Sequence, residues 1–192
     1  MQTKDKIKYE KIINVVANMI ANKGIESISI NKVATKAGIS KGTVYIYFKD
    51  KADLLRQTYL AKRQMYNEYF ALNLKREGTC ADQLESFIDC LYRFGKEHTT
   101  AMLVVDAIVS SHLRSEFFTD GREPEAMLTI WKQVIDKGIK QGIIKDVDAY
   151  SVNFVLFHTI CGYIKDVYYG NLNETDLPFA KVKDILLNGL LK

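Results

Sequence analysis

The sequence predicts an all-α fold, a small helical domain joined to a larger one, on three observations. Nearly everything after Lys4 carries apolar residues at spacings of three and four, the period of a helix that buries one face. Proline, the strongest helix breaker, occurs only at Pro124 and Pro178. No stretch alternates apolar and polar residues in the two-residue period of a strand, and no repeat or low-complexity segment interrupts the pattern.

The elements follow in order. Ile12, Val16, Met19 and Ile20, widened by Ile13, form the stripe of a first helix. It stops at Lys23-Gly24, where glycine is free to turn left-handed. Ser29 caps a short second helix with Val33, Ala34 and Ala37 inward, and Gly38 ends it. Ser40 caps a third over 41–48. Asp50 opens a fourth, with Asp53 adding negative charge to its first turn, running through Leu54, Thr58, Ala61 and Met65 toward Lys75.

Glu77-Gly78 marks a break. Thr79 with Asp82 caps a fifth helix, whose apolar face holds Leu84, Phe87, Ile88, Leu91 and Phe94. A sixth starts near Thr100 and carries Leu103, Val104, Ala107 and Ile108. Residues 117–123 read as loop around an Asp120-Gly121 turn. Helices over about 125–141 and 148–169 are separated by Gly142 and Asp146. After a polar connection at 171–176, Pro178 sits in the first turn of a last helix ending near Leu191.

Composition narrows the class. With 47% hydrophobic and 26% charged residues, the 192-residue chain can bury a core and is not disordered. The lysine-rich start lacks the unbroken apolar run of a signal peptide. The longest apolar-rich run, 152–164, holds Asn153, His158 and Thr159 and is too short to span a bilayer. Cys80, Cys90 and Cys161 are odd in number and widely spaced, as expected of reduced thiols. A soluble, cytoplasmic chain is the expectation. His98, His112 and His158 have no second ligand at metal-binding spacing, so neither a metal nor another cofactor is expected.

Charge is unevenly placed. Residues 1–56 hold eleven Lys/Arg against five Asp/Glu, an excess of +6, while the rest holds sixteen against eighteen, −2. A basic head on a mildly acidic body suggests a polyanion bound at one end, although a merely solvated lysine face gives the same count.

Residues 29–51 sharpen that reading. Two short helices that cross steeply need a small residue at their contact, and Ala34 fits; a tight turn needs positive φ, and Gly38 supplies it. Ile39 and Val44, with Val33 and Phe48, fill the small core beneath. The outward face of the third helix then carries Lys41, Gly42, Thr43, Tyr45 and Tyr47. Ser40 to Thr43 lie where free amides favour phosphate. Gly42 lets backbone approach a base edge. The tyrosine hydroxyls and Lys51 suit phosphate oxygens.

The run Val33-Ala34-x-x-Ala37-Gly38-Ile39-Ser40-Lys41-Gly42-Thr43-Val44-Tyr45-x-Tyr47-Phe48-x-x-Lys51-x-x-Leu54-Leu55 resembles the DNA-binding signature of the TetR family of bacterial repressors. With the preceding helix, the resemblance covers about the first 60 residues. It implies a three-helix helix-turn-helix DNA-binding domain, 1–50, joined to a helical effector-binding and dimerisation domain, 51–192. It implies phosphate contacts at Ser29, Lys41, Tyr45, Tyr47 and Lys51, and base-reading positions at Ser40, Gly42 and Thr43, with Asn31 and Thr35 as second-helix candidates. Family members often carry threonine at the Ser29 position, and many have histidine near Ile46 or Tyr47. The implied function is a ligand-responsive transcriptional repressor, a homodimer on a palindromic operator, released by an unidentified small apolar molecule.

The last two helices would form the dimer bundle implied by that resemblance. Phe157, Ile160, Ile164 and Tyr168 lie along one, and Val182, Ile185, Leu186 and Leu190 along the other, with Cys161 and Gly162 on the same flank. Both stripes exceed what a thin monomer covers, though an intramolecular core uses the same residues. Between 80 and 165, Phe87, Leu91, Phe94, Met102, Val105, Trp131, Phe154 and His158 can line an apolar cavity. Asp106, His112 or Tyr92 would orient its ligand. Plain core is the competing account of each. An enzyme is not expected: there is no glycine-rich phosphate loop, GxSxG, HExxH or clustered acid pair. A helical protein binding DNA without sequence preference, or an activator, remains open at this point.

Overall fold

The computed structural model describes residues 3–117 and 126–192, with side chains for 5–117 and 132–192. Among the described residues it is all-α, ten helices with one isolated antiparallel bridge, Ile144 to Leu191. They are α1 Thr3–Lys23, α2 Ile30–Ala37, α3 Lys41–Tyr47, α4 Lys51–Asn73, α5 Cys80–Glu97, α6 Thr99–Val109, α7 Leu113–Phe117, α8 Ala126–Lys140, α9 Ala149–Tyr169 and α10 Phe179–Leu190. The five-residue α7 and a single 3-10 turn at Ile25–Ser27 are too short to show a period and were not expected. Of the loop expected at 117–123, Phe117 closes α7, and the rest, Asp120-Gly121 included, lies outside the described residues.

The chain divides into two compact units, Met1–Tyr66 with Thr100–Gly121, and Asn67–Thr99 with Arg122–Lys192. In the first, α1 packs on α2 and on the 3-10 turn, and α2 packs on α3. Ile12, Val16, Val33, Ala37, Val44, Phe48 and Leu54 are shut off from water there. The Tyr9 ring stacks on Phe48, centroids 5.4 Å apart. Lys62 is buried as well, its ammonium donating to Asn14 Oδ1 at 2.8 Å, and burial pushes that amine below the usual lysine range.

In the second unit, α5 is the central element, packed on α8, α9 and α10. Its apolar face is the one the sequence marks: Leu84, Phe87, Ile88, Leu91 and Phe94 are all buried. Thr79 caps it reciprocally, accepting from the Asp82 amide at 3.2 Å while Asp82 Oδ2 accepts from the Thr79 amide at 2.8 Å. Lys183 ties α10 to α5 through Glu85 at 3.0 Å and Asp89 at 3.1 Å. Tyr92 stacks face to face on Phe179 at 3.7 Å and donates its hydroxyl to Glu174 at 2.8 Å. It therefore fastens the connection before α10. Cys80, Cys90 and Cys161 are buried and form no disulfide, and burial pushes the Cys90 thiol up to about 11.

Candidate nucleic-acid interface

Local chemistry places every part of the α2–turn–α3 segment. Ser29, extended at φ −142°, accepts the Lys32 amide on its hydroxyl at 3.4 Å and so starts α2. Gly38 stops it at φ 64°, ψ 38°, the left-handed conformation that costs other residues most. The Ile39 amide then donates back to Ala34 O at 3.0 Å, closing the turn. Ser40 caps α3, accepting the Thr43 amide at 3.1 Å. Phe48, at φ −136°, is already extended, so α3 ends one residue earlier than the sequence suggests. Beneath the turn Val33, Val44 and Phe48 are buried and Ile39 half-buried.

The residues chosen for DNA contact all lie on this segment or at the start of α4. Asn31 and Thr35 are exposed one turn apart on α2, with Thr35 Oγ1 donating to Asn31 O at 3.0 Å. On α3 and its cap, Ser40, Lys41, Gly42 and Tyr45 are exposed, while Thr43 and Tyr47 are half-buried. Ser29 and Lys51 are half-buried too. The Ser40 and Thr43 hydroxyls are 2.8 Å apart and share a hydrogen bond, so only one of their two protons is free for another acceptor. Lys41 lies over the Tyr45 ring at 5.8 Å.

The acids here are occupied. Asp50 Oδ1 accepts the Asp53 amide at 2.8 Å, and Asp53 Oδ2 accepts the Lys49 amide at 2.9 Å. That exchange pins the Lys49–Lys51 backbone to the start of α4. Lys32, Lys36, Lys41 and Lys49 stay exposed, so the surface presents cations while Asp50 and Asp53 accept backbone amides.

Sequence reasoning missed two residues. Ile46 is 77% exposed on α3, two positions from buried Val44 and thus on the opposite side. Counting 100° per residue finds it. Asp5, on α1, accepts the Tyr47 hydroxyl at 3.2 Å, a contact between residues 42 apart that no local pattern announces. Burial first, and the Asp5 hydrogen bond second, hold that hydroxyl above the ordinary tyrosine range.

The residues chosen for an effector are distributed as follows. Phe87, Leu91 and Phe94 are buried on α5, with the Phe87 ring 5.3 Å from Phe70 and the Phe94 ring 5.4 Å from Tyr69. Met102 and Val105 are buried on α6, and Asp106 is half-buried beside them. His112 is exposed. The Trp131 side chain lies outside the described residues. Phe154 is 53% exposed on α9, its ring 4.4 Å from half-buried His158. A cavity of about 360 Å³ opens elsewhere in the second unit, lined by Leu74, Lys75, Arg76, Cys80, Gln83 and Lys137 among others, none of which the sequence marked for a ligand.

The residues chosen for dimerisation fall on two sides. Ile160 and Ile164 on α9, and Val182, Leu186 and Leu190 on α10, are buried within the chain itself. Phe157 is half-buried. Tyr168 at 39% and Ile185 at 69% are exposed, as is Val155, which the sequence did not mark.

Comparison with known proteins agrees with this segment. Residues 12–58 match the model of the bacterial regulatory proteins of the tetR family. The chain is 26% identical over 155 residues to the fatty acid metabolism regulator protein of Bacillus subtilis, covering 80% of this chain and 79% of that one. Its fold superposes on a TetR family transcription regulator from Marinobacter aquaeolei at a TM-score of 0.81, with 21% identity and full coverage of both chains. It also superposes on the transcriptional regulator FadR from Bacillus subtilis in complex with stearoyl-CoA, at 0.69, with 22% identity over 94% of this chain and 98% of that one. Among the described residues no helix is long and apolar enough to cross a membrane. Turn chemistry and matched segment agree: residues 12–58 are similar to the bacterial regulatory proteins of the tetR family, and the chain shares the all-helical fold of tetR family transcription regulators.

Proposed function

We propose that the chain is a cytoplasmic repressor that binds a palindromic operator as a homodimer and releases it when an acyl-chain ligand binds. The observation that carries the reading is the outward face of α3, where Lys41, Gly42, Tyr45 and Ile46 are free of the core while the Asp50 and Asp53 carboxylates are bound to backbone. Two such helices, about 34–36 Å apart, would fit successive major grooves. Residues 1–50 act as the reading head in this proposal and 51–192 as the effector and dimer part.

Dimerisation is assigned to the exposed side of the last two helices. Phe154 and Val155 on α9 and Ile185 on α10 leave apolar surface in water that a second copy would cover. The buried stripe of Ile160, Ile164, Val182, Leu186 and Leu190 serves the subunit's own core. For the effector, the similarity to a fatty acid metabolism regulator and to a regulator in complex with stearoyl-CoA supports an acyl chain, taken up among the apolar faces of α5, α8 and α9. Operator and effector would favour different spacings of the two α3 helices, so each weakens the other reciprocally. A coupling of about 1–3 kcal/mol is about 5–150-fold in affinity. The route assigned is α4, which follows the reading head directly and runs to Asn73.

A footprint on a duplex selected by the protein, with stearoyl-CoA and then stearate added, tests this. Protection of a two-fold symmetric site that fades with either probe supports the whole account. Protection that neither probe weakens would remove the acyl-chain ligand and leave the operator reading standing.

A further inference from the structure

We propose that Ile46 reads the 5-methyl group of a thymine in the major groove, making operator choice depend on a methyl as well as on hydrogen bonds. The proposal rests on the DNA-binding function and adds a residue to it. Val44 and Phe48 anchor α3 from within, at 0% and 1% exposure. At ~100° per residue, position 46 stands about 160° from Val44, so Ile46 projects away from the core. Its 77% exposure agrees.

The chemistry of that side chain restricts what it can read. It neither donates nor accepts a hydrogen bond. Among the base edges of the major groove, the thymine methyl is the one apolar group. A cytosine in the same place carries only a hydrogen where thymine carries its methyl, so the hydrocarbon contact is lost. The β-branch holds χ1 of a helical isoleucine almost entirely in one well, so little side-chain freedom is lost on contact. One turn earlier on the same face stands Gly42, where an added Cβ would meet nothing nearer than Ser40 Oγ at 3.8 Å. A projecting apolar knob beside a side-chain-free gap lets the helix seat close to the base edges. Exposed Lys41 and Tyr45, one turn apart along one flank of the helix, supply the attraction for phosphate, which carries no sequence information.

The test uses the duplex that the full-length protein selects from a randomised pool, made again with uracil replacing each thymine in turn. Uracil differs from thymine only by the methyl. Wild-type affinity is expected to fall about 3–10-fold at one thymine per half-site, the worth of one or two buried carbons. Ile46→Ala is expected to bind weakly and to bind thymine and uracil duplexes alike. Because Ile46 is exposed, the variant should keep the wild-type helical spectrum, and Ile46→Val should keep part of the discrimination. An Ile46→Ala protein that still discriminates, or that binds as tightly as wild type, would overturn the proposal. Lys41→Ala separates this from the function itself: a uniform loss across all duplexes there, with no methyl dependence at position 46, leaves the DNA reader intact and removes the methyl. Selection of no duplex at all would overturn both.

Discussion

The hydroxyl of Tyr47, on α3, donates its proton to Asp5, on α1, at 3.2 Å. A residue assigned to phosphate is thereby already bound to a carboxylate. In the proposed DNA complex the hydroxyl would turn its hydrogen bond to a phosphate oxygen, with the Asp5 charge near the polyanion.

Removing that charge should help binding. Asp5→Asn keeps an acceptor for Tyr47 but deletes the repulsion, and DNA affinity is expected to rise about 2–5-fold at low salt, the gain shrinking as salt screens it. Titration of a labelled duplex at two salt concentrations measures this. Weaker binding by Asp5→Asn would mean that the carboxylate aligns Tyr47 more than it repels phosphate.

Two glycines should separate stability from function. At Gly42 an added methyl has room, so Gly42→Ala is expected to gain about 0.5–1 kcal/mol of stability from lower backbone freedom. It should nonetheless lose DNA affinity by about fivefold or more, since the gap against the base edge is filled. At Gly138 the same methyl would lie 2.5 Å from Ile144 Cδ1 and 3.3 Å from Cys80 Cβ, both residues buried. Gly138→Ala should therefore cost about 1–3 kcal/mol, a fall in Tm of a few degrees. Thermal melts and duplex titrations on the two variants together decide it; equal effects on both readouts would refute the distinction.

Assembly should hinge on a residue the core does not need. Ile185→Asp puts a charge on surface that is 69% exposed in the single chain, so the helical spectrum should persist while sedimentation shows a monomer. A dimer that survives this substitution would place the seam elsewhere than on the outer side of α10.

Acid should loosen the capped helices. The Thr79 hydroxyl, then its amide, hold the Asp82 carboxyl below its usual range, and the Ser151 hydroxyl and amide do the same for Asp148. Both groups are depressed in the folded state. Their contribution is therefore present above the unfolded carboxylate value of about 4 and is lost as pH falls through the lower folded value. Melts between about pH 6 and pH 2 should show stability falling over that acid window, and Asp82→Asn should be less stable near neutrality but flatter in acid. An unchanged acid slope in the variant would assign the loss to other groups.

What the sequence could announce depends on range. Ser29, Gly38, Ser40, Thr79 with Asp82, and Asp148 act on backbone within about three residues, so their pattern is visible in the chain and the helix ends fall where it puts them. The face of α5 is equally legible because its opposite side is polar. Helices α9 and α10 are apolar on more than one side, and period alone does not say which stripe the subunit keeps. It keeps Ile160, Ile164, Val182, Leu186 and Leu190, and exposes Phe154, Val155 and Ile185. Ile46 escaped notice for a related reason: attention to hydrogen-bonding residues passes over an apolar one even where the helix turns it outward. The Tyr47–Asp5 pair depends on how α1 and α3 come together, which no local rule encodes.

The most direct test of the central claim is binding of the purified protein to DNA from upstream of its own coding region, at two salt concentrations and against random competitor. The account predicts tight binding that survives competitor, protects a two-fold symmetric site and weakens steeply as salt rises. Weak binding that competitor abolishes would contradict it and leave a basic helical protein with no operator of its own.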